Sequence, residues 1–206
     1  METLINGIKI EKIMGKSSIL KSIKENKPTL ISLPEIDVNS FEETINLVET
    51  FKKNVESVGG NIKELGQIQD LDLEIKNRYP NAKRIFSQIS ESVLGNVQIS
   101  EQTKPKDLEN LDLAILKGVF GVAENGAIWI SDEQFSIRIL PFITNDLVLI
   151  LQKKDLCQHM HHAYKMIANR TRTFGLFISG PSKTADIEQC LVIGAQGAMS
   201  LTIFLI

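Results

Sequence analysis

Cysteine is scarce in this 206-residue sequence, occurring at Cys157 and Cys190 alone. An ordinary iron–sulfur cluster needs four thiolates, so none is expected on this chain, and two residues cannot build a disulfide framework. Both cysteines suit a reducing cytoplasm. Long apolar runs are missing too: "LVLIL" (Leu147 to Leu151) and "LTIFLI" (Leu201 to Ile206) are far too short to span a bilayer. The opening "METLINGIKIEKIMGK" lacks the basic region, apolar stretch and small-residue cleavage site of a signal peptide. A cytoplasmic protein without a membrane partner is therefore expected. Neither charge sign dominates, because 23 Lys and Arg face 25 Asp and Glu, which leaves no electrostatic footprint for nucleic acid. There is also no Cys-x-x-Cys, His-Glu-x-x-His, Gly-x-Ser-x-Gly or Gly-x-Gly-x-x-Gly pattern.

What is present is apolar material, 43% of residues, enough for one domain with an embellishment. Of the 48 charged side chains, 32 fall in residues 1–110, so the deeper core is expected toward the C-terminus. Residues 1–39 read as an arm with a short helix over Ser17 to Asn26 and a connector punctuated by Pro28 and Pro34. A longer helix follows from an N-cap at Ser40, with Glu43 completing a capping box, to Gly59 and Gly60. Its buried stripe is Phe41, Ile45, Val48 and Phe51.

Strand and helix then alternate: strand Asn61 to Leu65, helix Asp70 to Arg78, strands Ala82 to Ser87 and Leu111 to Leu116. Apolar runs at Ala127 to Ile130, Leu147 to Leu151, Phe174 to Ile178 and Ser200 to Ile206 read as further strands. A helix over Asp155 to Arg170 turns Leu156, Met160, Ala163 and Ile167 inward. The pattern is that of an α/β domain over residues 40–206 built on a largely parallel sheet, with an N-terminal helical arm.

Three places carry chemistry. "SGPSKTADIE" (Ser179 to Glu188) reads as a strand end, a Gly-Pro turn and a helix starting between Ser182 and Asp186, where free N–H groups and the helix dipole attract an anion. Ser182, Thr184 and Asp186 are equally good helix caps, Asp186 with Gln189 making a capping box, and the two readings stay open. "GVFGVAENGAIWIS" (Gly118 to Ser131) places Asn125-Gly126 between apolar runs, a type I′ hairpin signal, with Glu124 available as nucleophile or base. Arg138 interrupts the apolar "FSIRILP" and calls for a partner, either Glu124 or a bound carboxylate. His159, His161 and His162 share a helix with Cys157, but two ligands spaced i,i+3 do not close a zinc site, and no metal is expected.

The segment "GPSKTADIE" (Gly180 to Glu188) resembles the "GPSRTADIE" signature of the LUD domain family, named for lactate utilisation, most closely its short C-type members. "LVIGAQG" (Leu191 to Gly197) is similar to that family's "LVxGxHG", "AENGAIWIS" to its "AETGT" segment, and Arg138 with Leu140-Pro141 to its "R...LP" pattern. The resemblance implies a Rossmann-like, three-layer α/β fold related to ribose-phosphate isomerases and CoA transferases. It further implies a cytoplasmic role in oxidising L-lactate, or a related organic acid, to pyruvate beside partner subunits that carry iron–sulfur clusters. Asn125, Gly126, Arg138, Gly180, Ser182, Lys183, Thr184, Asp186, Glu188, Gln196 and Gly197 would line its small-acid site.

Departures from the family pattern are specific. Lys183 replaces the family arginine, keeping charge but losing the bidentate fork. Gln196 stands where histidine is usual and Asn125 where threonine is, while the histidine often found after "LP" is missing near Thr144 and Asn145. "ENG" also resembles the "SENG" segment of family I CoA transferases, which implies Glu124 as an acyl-accepting nucleophile and CoA as cofactor. A purely regulatory module is the third alternative. Homo-oligomerisation is left open.

Overall fold

The computed structural model describes residues 15–32, 34, 37–41, 43–100, 102–133, 135, 137–168, 170–171, 174–184 and 192–206. In chain order its main elements are α1 (Lys16–Glu25), α2 (Leu47–Ser57), β1 (Asn61–Glu64), α3 (Leu71–Arg78), β2 (Ile85–Ser87), β3 (Leu113–Lys117), β4 (Phe120–Val122), β5 (Ala127–Ser131), α4 (Leu140–Ile143), β6 (Asp146–Leu151), β7 (Leu156–Cys157), α5 (Met160–Ala168), β8 (Gly175–Ile178), β9 (Lys183–Thr184), β10 (Val192–Ile193) and β11 (Ser200–Leu205). Residues 1–37 and 38–206 are separate compact units. In the first, α1 opens with the Ser18 hydroxyl donating to the Gly15 carbonyl (2.8 Å) and carries a Lys21–Glu25 ion pair at i,i+4 spacing. Among the described residues no helix is long and apolar enough to cross a membrane.

The second unit is α/β. Its central sheet has the order β1-β11-β6-β3-β2 and every neighbour is parallel. Its middle strands alternate between two cores, as the pleat requires. Leu147, Leu149 and Leu151 of β6 face one core with Phe51 and Val55 of α2, while Val148 and Ile150 face the other with Leu71 and Ile75 of α3. Four strands form a second sheet, β7-β4-β5-β8, with β5 antiparallel to both its neighbours. Its Ile128 and Ile130 join the α2 side of the central core, and its other face packs Phe120, Val122 and Trp129 on Ala163 and Ile167 of α5. The runs at Ala127 and Phe174, expected beside the others, therefore form antiparallel strands of this second, mixed sheet. Their alternation is real; its inner residues serve the shared core and its outer ones α5.

Several boundaries move, each for a local reason. The second helix starts at Leu47 because Asn46 Oδ1 accepts from the N–H groups of Val48 and Glu49 (3.1 and 3.3 Å), whereas Ser40 lies in a 3₁₀ turn over Val38–Phe41. Phe41 is consequently exposed, and the buried stripe is Phe51 and Val55. β2 starts at Ile85 because the N–H groups of Lys83 and Arg84 are taken by Asp112 Oδ2, at 2.8 Å each. The helix expected from Asp155 starts at Met160, since Leu156 and Cys157 pair with β4 as a parallel strand.

These two backbone bonds, Arg84's first and then Lys83's, hold the Asp112 carboxyl below its ordinary value. A carboxylate lowered in this way stabilises the fold above its unfolded pKa of about 4, and that contribution disappears as pH falls through the folded value. Asp112→Asn is expected to cost about 1–2 kcal/mol at pH 7. Urea denaturation should show the gap to wild type narrowing as the pH is lowered below 4.

Candidate functional site

The C-terminal turn of α2 is where two of the three marked segments meet. The Asn54 side-chain amide donates to the Ala123 and Glu124 carbonyls (2.7 and 3.1 Å), and Gly126, at φ +67, brings its loop so near α2 that a Cβ there would sit 2.7 Å from the Val55 nitrogen. From the other side the Lys183 ammonium donates to the Val58 carbonyl (2.5 Å), supplying a cation and a donor at the helix end where carbonyls lack partners. Gly180, at φ +74, lies against that same carbonyl, 2.5 Å from where its Cβ would be. The two segments also touch directly, Ser179 Oγ donating to the Asn125 carbonyl at 2.9 Å.

The hairpin at Asn125-Gly126 is present, but its loop is four residues, Ala123 to Gly126, rather than the two of a type I′ turn. Val122 pairs with Ala127, and the Gly126 N–H closes on the Val122 carbonyl at 3.0 Å. The reason is competition, because the N–H groups of Ala123 and Glu124 go to the Cys157 and Gln158 carbonyls instead (2.8 and 3.0 Å). Asn125 Oδ1 accepts from Ala127 N–H, an Asx-type contact that shapes the loop from within.

Glu124 does not pair with Arg138. Its Oε2 accepts the Met160 N–H at the start of α5 (2.8 Å) and lies 3.8 Å from His159 Nδ1, so this oxygen is committed to a helix end. Burial pushes the neighbouring Cys157 thiol up to about 11, with the Glu124 charge adding to the effect, so the thiol stays protonated at neutral pH. Arg138 pairs instead with Asp132 (3.7 Å) and stacks over the Phe174 ring at 5.4 Å. Its segment is a turn leading into α4 rather than a strand.

The Gly-Pro corner differs from expectation in two respects. Lys183 and Thr184 run extended and pair antiparallel with Val192 and Ile193, so no helix starts at Ser182 to Thr184. Asp186 and Glu188, with the capping box at Gln189, lie outside the described residues. The corner follows β8, an edge strand of the second sheet, so the rule that ligands sit at the carboxyl ends of parallel strands does not apply to it.

It does border a cleft of about 260 Å³ that runs from Gly180, Ser182, Lys183, Gln196 and Gly197 to Leu147 and Leu201 at the amino ends of β6 and β11. Glu124, Asn125, Gly126 and Arg138 are not among its lining residues. Asn54 and Val58, which hold the two segments together, carried no sequence signal beyond a helical pattern. Gly59-Gly60 did signal the turn, but only as a helix stop.

Gly180→Ala should be costly, by about 1–3 kcal/mol, because it combines a left-handed φ with contact against a carbonyl. Gly66→Ala, where nothing lies within 4 Å of the new methyl, should change little. Thermal denaturation of the two variants side by side checks the contrast.

A crystal structure of a DUF162 family protein from Deinococcus radiodurans superimposes with a TM-score of 0.56 at 13% identity, covering 77% of this chain and 95% of that one, a likeness of fold. The lactate utilization protein C of Oceanobacillus iheyensis is 27% identical over 46% of this chain and 43% of its own length, and that of Bacillus pumilus 27% identical over 54% and 49%. The protein of the same name from Geobacillus sp. strain WCH70 is 26% identical over 82% of this chain and 72% of its own. The chain thus spans about half the length of the first two relatives. The LUD domain matches residues 19–206, and the chain belongs to the LUD domain family.

Proposed function

We propose that this protein binds a small organic acid, lactate or a relative of it, as a subunit that has no redox centre of its own. The observation that carries this reading is the cleft at the Gly180 to Lys183 corner. The described part of the family signature forms its rim, and Lys183 is the one charged side chain among the described residues that line it. An ammonium has three N–H groups, and with one on the Val58 carbonyl two remain for a carboxylate. Ser182 and Gln196 add neutral hydrogen-bonding groups beside it. The name shared by the relatives, lactate utilization protein C, supports lactate as the first acid to try.

Oxidising a 2-hydroxy acid to a 2-oxo acid releases two electrons and two protons, which must pass to an acceptor. Two cysteines cannot supply the thiolates of an iron–sulfur cluster, so the electron carriers are assigned to partner subunits. In this reading Arg138 is structural, holding its turn through Asp132 and Phe174. Glu124 is structural too, as the acceptor for the first N–H of α5. That use of its carboxylate weighs against the acyl-transfer alternative, which needs the same group free to attack a thioester.

Calorimetric titration of the full chain with L-lactate and pyruvate tests the reading. Lys183→Met should weaken binding at least 10-fold, as expected for loss of a charge-assisted hydrogen bond, while Arg138→Ala leaves it unchanged. Equal affinity in wild type and Lys183→Met would remove the cleft from consideration. Anaerobic capture of the tagged chain from its native host should bring down iron–sulfur partners that reduce a dye when lactate is added.

A further inference from the structure

We infer that the acid this cleft is shaped for carries an apolar tail, an aryl or branched alkyl group of several carbons, and a single negative charge. The inference rests on the cleft being the acid site, and deepens that reading by naming the substrate class. Beyond the polar rim the cleft is apolar. Leu147 and Leu201, each 1% exposed, and Ala198 lie buried beneath it, Leu176 and Ile178 line it half-buried on one face of β8, and Phe142, 43% exposed, lines it too.

Lactate has one methyl group to place on these surfaces, and in a cleft of about 260 Å³ it would leave the Phe142 ring and the half-buried Leu176 and Ile178 largely uncovered. A tail that covers the lining removes that surface from solvent, at about fourfold in affinity for each buried methylene. Exposed phenylalanine at the rim of an otherwise buried apolar floor is also the arrangement in which an entering ring gains edge or face contact.

Charge sets the other end of the ligand. Among the described lining residues one cation matches one carboxylate. A dicarboxylate, or a cofactor with several phosphates such as CoA, would leave negative charge uncompensated against apolar walls, where desolvation is expensive. Gln196 can donate to a 2-oxo group and either donate to or accept from a 2-hydroxyl. A 2-hydroxy or 2-oxo acid with a hydrophobic side chain satisfies each part of the lining.

Titration of the full chain with L-lactate and with L-3-phenyllactate tests this. Phenyllactate should bind at least 10-fold more tightly. Lys183→Met should weaken both acids, and Phe142→Ser should narrow the ratio between them, with melting temperatures confirming that both variants fold. If lactate binds as tightly as phenyllactate and both depend on Lys183, the tail inference is overturned and the acid-binding reading survives. If phenyllactate binds tightly but indifferently to Lys183 and Phe142, its site is elsewhere and the inference fails. Binding of neither acid overturns both.

Discussion

One helix turn ties together two of the three marked segments of this molecule. The end of α2 has carbonyls without helical partners and a backbone bare enough, at Gly59 and Gly60, for other chain segments to approach closely. Lys183 takes the Val58 carbonyl, Gly180 lies against it, and Asn54 reaches the opposite way to the carbonyls of Ala123 and Glu124. A lysine at a helix C-terminus contributes only a few tenths to about 1 kcal/mol through the dipole. Lys183 also ties β9 to the end of α2, beside the cleft that it lines.

The second sheet explains why this turn is so placed. The central parallel sheet covers one face with α3 and gives the other to α2 together with β4, β5, β7 and β8. Phe51 and Val55 drive α2 onto that shared core, both fully buried, and the hairpin and the Gly-Pro corner arrive beside it from strands of the second sheet. Ser179 then joins them with one hydroxyl bond. Glu124, at the hairpin tip, is drawn to the start of α5 because the helix offers an unpaired N–H and a positive dipole end there.

Membership of the LUD domain family and likeness to a DUF162 protein agree with this architecture. At 25–29% identity to the lactate utilization proteins C, the frame is what relatives of this kind share most readily. The substitutions noted in the signature, Lys183 for arginine and Gln196 for histidine, both fall on the cleft rim. Each removes geometry or proton chemistry without removing hydrogen-bonding capacity.

The amino-acid sequence by itself determined the local matters: the alternation of strands and helices, the apolar faces of β3, β6 and β11, the hairpin at Asn125-Gly126, the stop at Gly59-Gly60 and the family signature. These depend on periodicity and on residues a few positions apart. It could not decide which strands join which sheet, because buried strands of a parallel and an antiparallel sheet present similar apolar runs. Nor could it assign partners to Glu124, Lys183 and Arg138. Lys183 meets Val58 across 125 residues, and Asn54 meets Ala123 across 69. A polar side chain takes whichever unsatisfied backbone group the packing of the cores brings within reach, and only the tertiary structure decides which group that is.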